Sequence, residues 1–203
     1  MWACKKELMD IKFLNKDTLH IKTREVSIVL DPQLEDIAEC KADIAITTHD
    51  DFDISKSEVL KFDWPGEYEA KNVLVKSIVT TNKADQERRI VTMEINGVNT
   101  AYIGQIDKIP SNKKLFDELS IVEVLILNSH LSAKDALDLI EEVEPKAVVI
   151  AANMDIQDEA GNSEFEKLRK EIGKSEQEIE EKLTLKIDMD ALDSQIEYYF
   201  VTV

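Results

Sequence analysis

The sequence predicts an α/β layered domain, and three observations carry that expectation. The first half is a series of short segments that alternate or run apolar over strand lengths and are rich in β-branched residues. The second half alternates strands with amphipathic helices. Apolar runs of the fully buried kind occur in both halves, which requires sheets covered by helices. No repeat, linker or low-complexity tract divides the 203 residues, so a single domain over 1–203 is expected.

Strands are predicted over 10–14, 18–22, 26–30 and 43–47, punctuated by turn residues at Asn15, Lys16 and Asp17 and at Asp31 and Pro32. A second series covers 59–62, 72–80, 89–95 and 99–103. Asn96 and Gly97 between the last two tolerate the positive φ of a type I′ turn and predict a hairpin. Ser111 is a candidate cap for a helix over 112–119, whose Leu115, Phe116 and Leu119 share one face. A nearly continuous apolar strand is expected at 122–127.

Ser132 and Asp135 form a capping box before a helix reaching about Glu142, with Ala136, Leu139, Ile140 and Val143 as its buried stripe. Pro145 stops it, and 147–151 reads as a buried strand. Ser163 with Glu166 caps a helix over 164–172 closed by Gly173, with Phe165, Leu168 and Ile172 inward. The acidic stretch 175–182 has helical character, and 183–187 and 195–203 return to strand patterning.

Composition narrows the function classes. Asp and Glu number 42 against 25 Lys and Arg, a formal charge of -17. That field opposes phosphate backbones and anionic lipid, so neither nucleic acid nor membrane is an expected partner. A second copy of the chain or another protein remains open as a partner, and the sequence names no small-molecule ligand. Cys4 and Cys40 lack metal-type spacing and fit a reduced, intracellular chain. No signal peptide or long apolar span is visible, which makes a soluble, cytoplasmic protein the expectation. With five glycines there is little material for a phosphate-cradling loop.

Five stretches carry a resemblance. Val29-Leu30-Asp31-Pro32 looks like a strand end before a first helix. Ala42-Asp43-Ile44-Ala45-Ile46-Thr47-Thr48-His49 looks like a strand delivering a metal motif, and Trp64-Pro65-Gly66-Glu67-Tyr68-Glu69 is the most specific of the five. Ala101-Tyr102-Ile103-Gly104 and the stretch 133–153 complete the series. In this order they resemble the metallo-β-lactamase superfamily, in particular its ascorbate-6-phosphate-lactonase-like branch of metal-dependent hydrolases. The resemblance implies an αββα sandwich of two mixed β-sheets flanked by helices.

It also implies a site, which this chain departs from. The superfamily pattern Thr-His-x-His-x-Asp-His divides its ligands between two metals whose joint charge makes a bridging hydroxide nucleophilic. Thr48, His49 and Asp53 match it, whereas Asp51 stands at the second histidine and Ile54 at the last. Gln105 occupies the place of the bridging aspartate, and Asn153 that of the late histidine. The N-terminal stretch 13–18 also lacks the Trp-Leu-Gly-His type of sequence common in the branch.

The expectation is therefore a degenerate, non-catalytic member of the fold, a pseudoenzyme keeping the scaffold for binding or assembly, with no cofactor. The alternative is a divergent hydrolase of phosphoesters or lactones with a reduced, carboxylate-rich site. Its candidate metal ligands are His49, Asp51 and Asp53 around one divalent cation, Zn²⁺, Mn²⁺ or Mg²⁺. Gln105, His130 and Asn153 are the vestigial site positions. Against the metal stands a plain reading, in which Asp50, Asp51 and Asp53 cap a following helix. Glu67 and Glu69 could act as an acid and base pair, or belong to a structural segment with Gly66 turning the chain and Tyr68 packing. His20 lies in an early strand and is a poor ligand candidate.

Overall fold

A computed structural model describes residues 7–110, 112–128, 130–151, 163–173, 182–187 and 196–201, with the backbone alone for 7, 8 and 182–187. Three antiparallel strands open the chain: β1 (Glu7–Phe13), β2 (Leu19–Lys22) and β3 (Ser27–Leu30). Helix α1 (Leu34–Cys40) leads to β4 (Ile44–Ile46) and β5 (Leu60–Phe62), which run parallel to β3. An antiparallel meander follows, made of β6 (Gly66–Ala70), β7 (Val73–Thr81), β8 (Glu87–Ile95) and β9 (Val98–Ile103). Then come α2 (Lys113–Leu119), β10 (Val124–Leu127), α3 (Ala133–Val143), β11 (Ala147–Ala151), α4 (Glu164–Glu171), β12 (Lys182–Ile187) and β13 (Glu197–Val201).

The strands form a six-stranded sheet in the order β12-β1-β2-β3-β4-β5 and a seven-stranded sheet in the order β13-β11-β10-β9-β8-β7-β6. Both are mixed. Between them lies the main core, where Ile11, Ile21, Ile28 and Ile44 of one sheet meet Val75, Met93, Ile126 and Val149 of the other. Helices α2, α3 and α4 bury Leu115, Leu139 and Leu168 on the outer face of the seven-stranded sheet. Helix α1 places Ile37 over Val29 and Ala45 on the outer face of the six-stranded sheet. The αββα sandwich expected from the resemblance is the observed architecture.

Local chemistry accounts for the elements. The strands β3, β4, β10 and β11 are buried at every position, as parallel strands covered on both faces must be. The β8–β9 hairpin turns at Asn96 and Gly97, with φ of 53° and 79°. The Ser132 hydroxyl accepts the Asp135 amide N–H at 3.1 Å at the start of α3, and Ser163 does the same for Glu166 at 3.2 Å at the start of α4. Ser111 lies outside the described residues, and the cap of α2 is Asn112, whose Oδ1 accepts from the Lys114 amide at 3.0 Å.

The structure departs from some expectations. No helix follows the acidic run: residues 51–59 form a turn-rich loop, and the next element is β5. The segment 66–70 is an edge strand that periodicity alone did not announce. The expected helical stretch 175–182 lies outside the described residues apart from Lys182, which begins β12. No helix among the described residues is long and apolar enough to cross a membrane.

Candidate functional site

One end of the sandwich gathers the polar side chains. The C-terminal ends of β3, β4, β9 and β10 deliver Asp31, Thr48 with His49, Gly104 with Gln105, and Asn128. The antiparallel pairings bring the turn before β2 and the start of β8 to the same end, because Leu19 pairs with Leu30 and Ile90 with Ile103. Loops at strand ends are free of ladder geometry, which is why sites collect there.

Asp31 organises this end. It is fully buried and has a φ of 51°, a left-handed conformation tolerated by Asp. Its Oδ1 accepts the Thr48 amide at 2.6 Å and its Oδ2 the Thr48 hydroxyl at 2.8 Å, while Tyr102 Oη lies 3.4 Å from Oδ2. Burial pushes the Asp31 carboxyl up to about 7, against the Thr48 hydrogen bonds that favour its ionised form and with help from the Asp17 charge. Burial likewise raises the Tyr102 phenol, which accepts from Asn128 Nδ2 at 3.1 Å.

His49 is 2% exposed and held on both sides. Its Nδ1 is 3.2 Å from Thr48 Oγ1 and its ring meets Phe52 edge-on at 4.7 Å. A proton on Nδ1 would be donated to the Thr48 oxygen and leave a lone pair on Nε2, whereas a proton on Nε2 would be directed at Asp51. Nε2 faces Asp51 Oδ2 at 3.5 Å. Burial keeps the imidazole below its usual pKa, helped by Arg88 and opposed by Asp51.

The other candidate residues go elsewhere. Asp53 is exposed and accepts from the Ser55 amide at 3.0 Å, which closes a turn. Ile54 is 2% exposed and packs into the layer beneath α1 with Val29, Ile37 and Ala45. Gln105 donates its amide Nε2–H to Asp17 Oδ1. His130 is exposed, its ring held below the usual pKa by partial desolvation against the pull of Asp107 and Asp17. Asn153 lies outside the described residues.

Glu67 and Glu69 project from the exposed side of β6, while Tyr68 between them stacks on Phe62 at 4.5 Å and donates to the Trp64 carbonyl at 2.7 Å. Gly66 adopts a φ of 151°. His20 bonds Ser27 Oγ at 2.9 Å from its place in β2, away from this end.

Three participants escaped the sequence reading. Asp17 accepts from Gln105, and its carbonyl lies 3.3 Å from Tyr102 Oη, so the turn between β1 and β2 is tied across to the other sheet. Asn128 adds a bond to the Lys16 carbonyl at 3.2 Å. Arg89 is 1% exposed, and its guanidinium donates to Asp50 Oδ1 and to the Asp63 carbonyl, which fixes the loop carrying His49. Arg89 did leave a signal: it falls on the alternating register of Val91, Met93 and Ile95, so it occupies an inward position.

The arrangement decides what could be held here. Two metals would need ligands at positions 51, 54 and 105 in addition to His49 and Asp53, but Ile54 is sunk in an apolar layer and Gln105 is committed to Asp17. The residues present do not fit a two-metal group. Among the described residues no three His, Cys, Asp or Glu side chains stand where they could share an ion.

Comparison with known proteins places the scaffold. The sequence profile of the Beta-lactamase superfamily domain matches residues 10–151. The chain belongs to this family. Its β-lactamase superfamily architecture is similar to that of a Zn-dependent hydrolase assignment from Thermotoga maritima, at 15% identity and a TM-score of 0.71 over 96% of this chain and 98% of that one. It is also similar to Igni18, a metallo hydrolase of Ignicoccus hospitalis, at 14% identity and a TM-score of 0.63, covering 89% of this chain and 100% of that one. A metal-dependent hydrolase assignment from Parabacteroides distasonis gives 14% identity and a TM-score of 0.63 over 96% and 93% of the two chains. No curated protein matches significantly. At these identities the solved structures speak for the β-lactamase superfamily fold alone.

Proposed function

We propose that this β-lactamase superfamily chain is a non-hydrolytic member that retains the sandwich as a binding or assembly scaffold. The observation that carries the reading is the bond from Gln105 Nε2 to Asp17 Oδ1. The position where the resemblance implies a metal-bridging carboxylate holds a neutral amide, and that amide ties the β1–β2 turn to the site. Ile54 supports the same reading, since a ligand restored there would start from a side chain packed under α1. Protein groups also tie the loops: Arg89 supplies a permanent cation to the His49 loop, and Asn128 and Tyr102 tie the β1–β2 turn.

One observation favours a second reading. His49 Nε2 and an Asp51 carboxylate oxygen face each other at 3.5 Å, a pair of groups that a single divalent cation could join. In that case Asp51 would be the ligand of consequence, with Asp53 contributing only after its turn at Ser55 opened.

A screen of phosphodiesters and lactones with and without added Mn²⁺, run on the wild type and on Asp51→Ala, separates the two. No turnover above buffer in any arm is the expected result. Turnover that requires Mn²⁺ and is lost in Asp51→Ala overturns the non-hydrolytic reading in favour of the reduced site.

A further inference from the structure

We propose that the cleft between α2 and α3, on the outer face of the seven-stranded sheet, binds a linear aliphatic polyamine. The cleft encloses about 440 Å³, within the size range of small-molecule sites. Ile109, Phe116 and Leu139 supply apolar wall, and one face of α3 presents Asp135, Asp138 and Glu142 along its length. The ligand that matches both features has cationic groups joined by methylene chains.

The spacing on α3 makes the match more specific. At a rise of about 1.5 Å per residue, Asp135 and Asp138 are offset by ~4.5 Å along the axis and Asp138 and Glu142 by ~6 Å. A triamine with a three-methylene and a four-methylene spacer presents its nitrogens in that unequal rhythm. Its methylenes would lie along the apolar wall lined by Ile109 and Phe116.

The carboxylates are available for such a ligand. Asp138 and Glu142 are exposed and engage in no ion pair or hydrogen bond of their own among the described residues. Asp135 uses one oxygen to accept the Ser132 hydroxyl at 2.8 Å and retains its other. Lys108, a cation on the rim, is directed toward Asp85 at 3.9 Å. A chain carrying a net charge of -17 also concentrates polycations from solution.

Isothermal titration of the full chain with spermidine at low ionic strength tests this. The variants are the double substitution Asp138→Asn/Glu142→Gln and, on α1 at the opposite face, Glu35→Gln/Glu39→Gln, which changes the net charge equally. The expected result is one spermidine per chain, weakened about tenfold in the α3 variant and unchanged in the α1 variant. Diacetylated spermidine, which lacks the terminal charges, should not bind. Equal weakening in both variants, a stoichiometry of several per chain, binding of the diacetylated form, or binding of a lysine-rich peptide but not of spermidine would each overturn the proposal.

Discussion

Thr48 donates its amide and its hydroxyl to the two carboxylate oxygens of Asp31, at 2.6 and 2.8 Å. This pair joins the ends of β3 and β4 and places the Thr48 oxygen 3.2 Å from His49 Nδ1. Thr48→Val keeps the shape and removes the hydroxyl, so a buried carboxylate oxygen loses its donor. Urea unfolding should show a loss of about 1–3 kcal/mol. A midpoint equal to that of the wild type would mean that water or Tyr102 replaces the bond at no cost.

The same carboxyl makes a pH prediction. Asp31 is raised from 3.8 to about 7, so between these values the folded chain keeps a proton that the unfolded chain releases. Its contribution to stability is fully present below about pH 4 and is lost as the pH rises toward 7. His49 acts in the opposite sense, because its lowered pKa favours the folded chain as pH rises through the ordinary value of 6.5. Asp31→Asn removes the first effect and leaves the second. Across pH 4 to 7, wild type should therefore lose stability relative to Asp31→Asn by on the order of a few kcal/mol. Parallel pH curves for the two proteins would contradict the assignment.

Gln105 and Asp17 give a role-swap test of the tie across the sheets. Gln105→Asp replaces a donor with a carboxylate facing Asp17, and the loss should be about 1–3 kcal/mol. Adding Asp17→Asn supplies a new amide donor to the new carboxylate, so the double variant should recover much of the loss. An additive double variant in thermal unfolding would show that the two side chains do not interact.

Gly104 lies where the end of β9 passes Thr48. A Cβ there would come within 3.0 Å of Thr48 Oγ1 and 3.1 Å of Tyr102 Cε1. Gly104→Ala must push both aside, at a cost of about 1–3 kcal/mol, and should shift the NMR resonances of the His49 ring through Thr48. Unchanged His49 resonances would indicate that the strand end relaxes away from the site.

Much of the fold was legible because its signals are local. Asn96 with Gly97, Ser132 with Asp135 and Ser163 with Glu166 each satisfy backbone groups within a few residues, and each marks the element expected of it. The edge strand β6 was not legible: its Glu-Tyr-Glu pattern gains meaning only when Tyr68 finds Phe62. The acidic loop misled for a similar reason. Asp53 does bind a backbone amide, but that of Ser55 in a turn, and the chain then runs into β5 without forming a helix.

The site was legible by half. His49 and Asp51 come together as neighbours on one loop, whereas Asp17, Gln105 and Asn128 meet only through pairing between distant strands. Composition and periodicity cannot report such contacts.

Metal content by mass spectrometry on protein purified without chelator, followed by titration with Zn²⁺ and Mn²⁺, decides whether the two-metal centre is lost. With Ile54 under α1 and Gln105 bound to Asp17, no dinuclear centre is expected: at most one weakly held ion per chain, removed by brief dialysis. Two tightly bound equivalents per chain would contradict it.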